Sequence, residues 1–164
     1  MARCVIMMIR AETLEDHDAI EHLLVEAFGG DDEARLVRAM RADDDLAVGL
    51  VAEADGRIAG YLALSPMQAP TGALGLAPVA VTPELQRRGI GSALIQFALV
   101  HARALDASII FVLGDPAYYQ RFGFSLECGE AYQSAYSGPH FMALPLGEAA
   151  GDGPATYARA FDSL

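Results

Sequence analysis

The chain has 164 residues, 53% of them hydrophobic and 20% charged, so it can bury the core of one ordinary domain and is too apolar to be disordered throughout. Its 11 basic residues, all arginine, face 22 acidic ones, and the net charge of −11 argues against general nucleic-acid binding because phosphates would be repelled. The two cysteines, Cys4 and Cys128, form no CxxC pair and predict neither a disulfide framework nor a zinc site, which favours reduced thiols in a cytoplasmic protein.

The N-terminal part of the chain predicts a strand followed by two helices. The apolar run that ends at Arg10 is too short for a signal peptide or a membrane span, so a strand over 5–10 is expected. Thr13 is a plausible N-cap of a first helix, because apolar residues follow at helical spacing as far as Ala27. A second helix is expected to open at Asp31 and Asp32.

The middle of the chain predicts a hairpin, a strand and a long helix. Asp55-Gly56 is a turn pair between two strand-like runs at 46–54 and 57–64. A Pro/Gly-rich break separates this hairpin from an apolar strand over 74–81. From Ile90 onward, apolar residues repeat every three to four positions and predict a helix.

The remaining elements are short. They are a buried strand at 108–113, a helix started by Asp115-Pro116, a strand that begins at Phe122-Gly123-Phe124 where this helix ends, and a last strand at 141–146. The fold class is therefore α/β, or α+β, with a mixed central sheet and helices on both faces. We expect one domain over 1–146 and a Gly/Ala-rich tail over 147–164, loosely held unless Tyr157 and Phe161 dock it. The edge strand at 141–146 is a candidate contact for a homodimer.

One stretch combines a strand, a glycine-rich turn and a helix start. Val79, Ala80 and Val81 end the strand, and Gln86-Arg87-Arg88-Gly89-Ile90-Gly91-Ser92 opens the helix. Backbone N–H groups and the helix dipole would converge there on one spot, and the glycines allow an anion to approach closely. Residues 85–105 hold three arginines and no acid, against a strongly acidic background. This pattern predicts a phosphate site.

Other interpretations of this turn are weaker. A solvated structural turn does not explain the arginine pair, although it would suffice for a lone Gly-x-Gly. A dinucleotide-binding fingerprint lacks its third small residue, since Leu94 stands there. A Walker-type loop needs Gly-Lys-Ser/Thr, and the chain has no lysine.

The stretch Gln86–Gly91 resembles the Gln/Arg-x-x-Gly-x-Gly/Ala pyrophosphate loop of the GNAT acetyltransferase superfamily, and Tyr119–Phe124 resembles its Tyr-x-x-x-Gly-Phe segment. The two motifs occur in the family's order and spacing, and the longer phrase Gly114–Phe124 resembles a bacterial branch of it. The resemblance covers about residues 5–146 and implies the GNAT acyl-CoA N-acyltransferase fold.

The resemblance also implies acetyl-CoA as cosubstrate, without a metal. Backbone groups of Val79, Ala80 and Val81 would hold the pantetheine arm, and the amides from Arg87 to Ser92 would hold the pyrophosphate. Arg87 or Arg88 would reach the 3′-phosphate. Tyr119 matches the position whose phenol protonates the departing thiolate. The strand at 74–79 lacks the carboxylate that many relatives use as general base, so Glu26, Asp31, Glu33, His140 and a water relay stay open.

Two functions follow from these patterns. The first is an acetyl-CoA-dependent N-acetyltransferase that acts on an amine of a small molecule or peptide, with no nucleic-acid or membrane partner. The alternative is a non-catalytic acyl-CoA-binding module that regulates a partner. A nucleotide-binding α/β protein of another family is a third interpretation. Fourteen of the 22 acidic residues lie in residues 1–60, which suits a cationic acceptor.

Overall fold

A six-stranded mixed sheet forms the centre of the protein in a computed structural model that describes residues 6–147 and 151–164. In spatial order its strands are β1 (Met7–Ala11), β2 (Val48–Ala54), β3 (Arg57–Pro66), β4 (Ala73–Val81), β5 (Ile109–Leu113) and β7 (Phe141–Pro145). All neighbouring strands are antiparallel except β4 and β5, which are parallel. Two short strands, β6 (Tyr132–Gln133) and β8 (Gly153–Pro154), form a separate parallel pair.

Helices cover both faces of the sheet, as the sequence predicts. The helices are α1 (His17–Phe28), α2 (Asp32–Ala42), α3 (Ile90–Ala104), α4 (Pro116–Tyr119) and α5 (Leu126–Glu130). Side chains of β3 alternate between two cores: Tyr61 packs on the side of α1 and α2, whereas Leu62 packs on the side of α3. In the part of the chain that the structure describes, no helix is long and apolar enough to cross a membrane.

The entry into α1 differs slightly from the expected one. A 3-10 turn over Leu14–Asp16 lies between Thr13 and α1. The buried Asp16 carboxylate accepts hydrogen bonds from the Thr13 N–H at 2.8 Å and from the Thr13 hydroxyl at 3.1 Å. Thr13 is therefore the N-cap, as predicted, but of the 3-10 turn that precedes α1, and the Asp16 carboxylate completes a capping box with it.

The hairpin prediction is confirmed at Asp55-Gly56. Both residues have positive φ, 52° and 78°. This is the backbone of a two-residue turn that matches the twist of the flanking strands, and glycine at the second position adopts it without steric cost.

The prediction of a strand that begins at Phe122-Gly123-Phe124 is wrong. Gly123, with φ of 100°, ends a 3-10 turn, and Ser125 makes a single bridge to Ala143 of β7. The Ser125 hydroxyl then accepts from the Cys128 N–H at 3.1 Å and starts α5. Phe124 is buried, but one apolar residue followed by a capping serine makes a helix start instead of a strand.

The C-terminal segment 151–164 packs on the same face as α1 and α2. Tyr157 and Phe161 are buried there, and the Gln68 side chain donates to the Tyr157 carbonyl at 2.8 Å. A Cβ atom at Gly75 would lie 2.7 Å from the Tyr157 ring, so β4 lacks a side chain where the tail crosses it. The expected thiol at Cys4 and the expected strand start at Val5 lie outside the described residues.

Candidate active site

An opening in the sheet between β4 and β5 positions the site. The two strands pair only from Ala73–Ile109 to Leu76–Val112. The pairing of β4 with β3 shifts register between Leu76 and Val79, where Ala77 and Pro78 bulge out, as the missing N–H of Pro78 predicts. Beyond this bulge, Val79–Val81 pair with β3 on one edge, and among the described residues no strand pairs with their other edge. An extended ligand can therefore pair with this edge, except at the Val81 carbonyl, which accepts from the Gln86 side chain.

The glycine-rich turn forms a concave row of backbone amides. Arg87 and Gly89 both have positive φ, 64° and 86°, which curls the backbone into α3. The first helical bond runs from the Ala93 N–H to the Gly89 carbonyl at 3.0 Å, so the preceding N–H groups of the first turn have no helical acceptor. An anion in front of this turn would meet those amides and the positive end of the helix dipole.

The Gln86 side chain stabilises the conformation of this turn by a hydrogen bond. Its side-chain amide donates to the Val81 carbonyl at 3.1 Å and ties the turn to the end of β4. Gln86, which the sequence predicts as a ligand-binding residue, thus also holds the row of amides next to the free edge of β4.

A cavity of about 590 Å³ lies in front of the turn and the free edge of β4. Its lining includes ten of the predicted site residues: Val79, Ala80, Val81, Gln86, Arg87, Gly89, Ile90, Gly91, Ser92 and Tyr119. Arg88 is exposed and does not line the cavity. Four lining residues were not predicted from the sequence: Leu85, Asp115, Tyr118 and Arg121.

Arg121 places a second guanidinium beside the amide row, next to Ser92. It donates to the Ser92 hydroxyl at 3.2 Å and to the Tyr118 carbonyl at 3.3 Å, and it stacks over the Tyr118 ring at 4.7 Å. The helical spacing of Tyr118 and Arg121 in the quoted motif is the signal that could have found this pair. Arg121 and Arg87 give the cavity two fixed positive charges, which suit a polyphosphate.

Tyr119 is held at the point where the sheet opens. Asp115 accepts from the Ala117 N–H at 3.0 Å and starts α4, as predicted, and the α4 turn places the Tyr119 ring beside Gly114. Burial raises the pKa of Tyr119 to about 12, since the phenolate would lose its hydration, and the neighbouring Tyr118 adds to the shift. The phenol is therefore neutral at physiological pH.

A second pocket of about 250 Å³ lies on the opposite side of the opening. Its walls come from α1, α2, the β4 bulge and the C-terminal segment, with the lining residues Phe28, Glu33, Leu36, Leu76, Ala77, Pro78, Val79, Leu113, Tyr119, Tyr136, Tyr157, Phe161 and Leu164. Among the described residues, Val79 and Tyr119 are the two that line both cavities. The two cavities are therefore adjacent, on either side of Val79 and Tyr119, at the end of the paired part of β4.

The four side chains that the sequence offers as a general base have different surroundings in the structure. Glu33 lines the second pocket, whereas Asp31 pairs with Arg35 at 3.5 Å. The Glu26 carboxylate lies 3.5 Å from the Thr82 hydroxyl, and Nδ1 of His140 lies 3.2 Å from the Gly114 carbonyl. Within residues 6–147 and 151–164, no group of three or more His, Cys, Asp or Glu is arranged to hold a metal ion.

Comparisons with known proteins agree with this geometry. The sequence profile of the Acetyltransferase (GNAT) family matches residues 17–124. The chain is 39% identical over 124 residues to the uncharacterized N-acetyltransferase YhbS of Escherichia coli K12, covering 73% of this chain and 74% of that one.

Two crystal structures share the whole fold. YhbS from Escherichia coli in complex with CoA has a TM-score of 0.90 at 32% identity and covers 99% of this chain and 95% of its own. A GNAT family acetyltransferase from Brucella melitensis in complex with acetyl-CoA has a TM-score of 0.84 at 35% identity, with 96% and 99% covered. The expected mixed-sheet GNAT fold is thereby confirmed, and the chain belongs to the GNAT family of acetyltransferases.

Proposed function

We propose that the protein transfers the acetyl group of acetyl-CoA to an amine at the junction of its two cavities. The observation that carries this proposal is the sharing of Val79 and Tyr119 by both cavities, because the thioester and the acceptor must meet at one point. The 590 Å³ cavity is the CoA side, as the CoA and acetyl-CoA complexes of the two similar proteins support. The 250 Å³ pocket is the acceptor side.

The phosphates and the pantetheine arm of the cofactor each have a matching part of the cavity. The free amides of the turn over 87–92 hold the pyrophosphate, and the guanidiniums of Arg87 and Arg121 neutralise phosphate charge. The pantetheine arm pairs with the free edge of β4 at 79–81 in the manner of an added strand. This arrangement directs the thioester toward Tyr119.

The reaction needs one bond to form and one to break. An amine that binds as an ammonium first loses one proton to water. The neutral amine then attacks the thioester carbonyl, the C–N bond forms, and a backbone N–H at the free end of β4 stabilises the oxyanion. The C–S bond then breaks, and Tyr119 donates its proton to the leaving thiolate. The proton lost from the amine passes to water or to an acidic group of the acceptor pocket, and the tyrosine is reprotonated from solvent.

The first experiment combines binding with turnover. Acetyl-CoA is incubated with a panel of amines, and free CoA and acetylated amine are both quantified by chromatography, which avoids thiol reagents that would also label Cys128. Equilibrium binding of CoA, NAD and ATP is measured in parallel. We expect CoA to bind best and acetylated amine to appear. CoA binding without turnover on any amine, unchanged by Tyr119→Phe, would instead establish the non-catalytic binding module.

A single substitution tests the location of the cofactor. A Cβ atom at Gly91 would lie 3.0 Å from the Tyr118 hydroxyl, so a longer acidic side chain there enters the cavity and repels phosphate. We expect Gly91→Glu to abolish CoA binding while the protein stays folded by circular dichroism. Normal CoA binding by this variant would place the cofactor elsewhere.

A further inference from the structure

The acceptor pocket contains one charged side chain among the described residues that line it, the carboxylate of Glu33. We propose that Glu33 binds the ammonium group of the acceptor, and that the acceptor is a small amine carried on an aromatic or similarly apolar body. This inference rests on the proposed function and names the substrate class of the same site.

Glu33 occupies a helix position that normally belongs to the core. In α2, Leu36, Val37 and Met40 form the buried stripe, and Glu33 precedes Leu36 by three residues on the same face. The side chain is half-buried at the open end of this stripe. A carboxylate there interrupts an otherwise apolar face, and departures of this kind are expected where a residue serves a ligand.

Neighbouring acids have partners that Glu33 lacks. Asp31 and Asp32, in the turn before it, both pair with the same guanidinium, that of Arg35. The next two arginines of α2 are also engaged, Arg38 with Glu21 and Arg41 with Glu12. Within the part of the chain that the structure describes, no ion pair involves Glu33. The cations of its own helix therefore neutralise other carboxylates.

The remaining lining residues of the pocket indicate the chemistry of the uncharged part of the acceptor. Phe28, Tyr136, Tyr157 and Phe161 supply aromatic walls, and the bulge of β4 supplies an apolar floor. Such walls favour a flat apolar body, and aromatic faces also attract a cation. A half-buried carboxylate in this setting binds an ammonium more strongly than one in open solvent, because fewer water molecules compete.

Two isomeric probes separate charge from shape. 2-Phenylethylamine carries an ammonium at neutral pH, whereas 4-ethylaniline has the same atoms and is uncharged. Their dissociation constants are measured by NMR titration of the CoA-bound protein, so that binding is observed without turnover. The proteins are the wild type, Glu33→Gln, Glu33→Asp and, as a control on the same turn, Asp32→Asn.

We expect the wild type to bind 2-phenylethylamine at least about tenfold more tightly than 4-ethylaniline, in line with a charge-assisted hydrogen bond. Glu33→Gln should remove this preference without changing affinity for 4-ethylaniline or CoA, Glu33→Asp should retain part of it, and Asp32→Asn should retain all of it. Equal binding of the two probes by the wild type, an unchanged ratio in Glu33→Gln, or no binding of 2-phenylethylamine would overturn the inference. A failure of the proposed function would show up in a different measurement, the turnover assay, as CoA binding without acetyl transfer to any amine.

Discussion

The ring of Tyr119 lies directly against Gly114, the first residue after β5. A Cβ atom on Gly114 would lie 2.5 Å from Cε2 of that ring, closer than real Cβ atoms approach, and 3.1 Å from Cδ2. The position of the phenol at the junction of the two cavities thus depends on the absence of a side chain five residues earlier.

This contact predicts the effect of one added methyl group. Gly114→Ala should push the Tyr119 ring out of place and lower kcat roughly tenfold or more, since small misplacements of catalytic groups are costly. CoA affinity should change little, because the amide row lies on another element. Gly147→Ala is the matched control, as a Cβ atom there meets nothing within 4 Å. Steady-state kinetics and CoA titration test both variants, and an unchanged kcat in Gly114→Ala would remove Tyr119 from the chemical step.

The raised pKa of Tyr119 predicts a pH signature. A general acid must be protonated, and burial keeps the phenol protonated until the pH approaches about 12, above the ordinary value of 10. Tyr119→Phe should lower kcat by roughly 10- to 100-fold, at the lower end of general acid effects because a thiolate leaves readily. The ratio of wild-type to Tyr119→Phe kcat should stay constant from about pH 7 to 10. A ratio that declines within this range would indicate an ordinary, exposed phenol.

The positions of the arginines predict unequal contributions to CoA binding. Arg87 and Arg121 line the CoA cavity and Arg88 does not. Arg87→Ala and Arg121→Ala should each weaken CoA roughly tenfold, the effect of one charge-assisted contact, whereas Arg88→Ala should change the Kd less than about twofold. Repeating the titrations with dephospho-CoA, which lacks the 3′-phosphate, identifies the arginine that holds this group, since its substitution then has no effect. A large loss in Arg88→Ala alone would contradict the geometry.

The sequence could predict most of the lining of the 590 Å³ cavity because the parts of this lining are local. Gly89 and Gly91 indicate the turn, and the apolar strand before them contains Val79. The motif around Tyr119 lies one helix and one strand further along the chain. Each of these features is encoded within a few neighbouring residues, so chain order already specifies their relative placement.

The acceptor side could not be predicted in the same way. Its wall is assembled from Phe28, Tyr136, Tyr157 and Phe161, which belong to distant segments with no shared periodicity. Only long-range packing brings them together, and the tail composition suggests a loose segment although Tyr157 is buried against β4. The wrong strand prediction after Gly123 has a related cause. Ser125 makes a bridge to the distant Ala143 and caps α5, and the bridge depends on tertiary packing that the local sequence does not show.

Asp16 predicts how stability depends on pH. Its carboxylate is buried and accepts hydrogen bonds from Arg10 at 2.7 and 2.9 Å, and this pairing holds the pKa of Asp16 well below its ordinary value. A depressed pKa means that the folded state favours the charged form, so the stabilisation is present above about pH 4 and is lost as the pH falls below it.

Asp16→Asn should therefore lower the free energy of unfolding by about 1–3 kcal/mol at pH 7, because the Arg10 guanidinium loses one of its two charged acceptors and keeps only Glu53, at 2.7 Å. The difference from the wild type should shrink as the pH is lowered from about 4 toward 2, because the Asp16 carboxylate of the unfolded chain becomes protonated there while that of the folded chain is still charged. Urea unfolding across this range measures the effect, and Asp18→Asn, at an exposed position of α1, provides the control. A difference that is the same at pH 7 and at low pH would mean that Asp16 stabilises the fold through shape and neutral hydrogen bonds, independently of its charge.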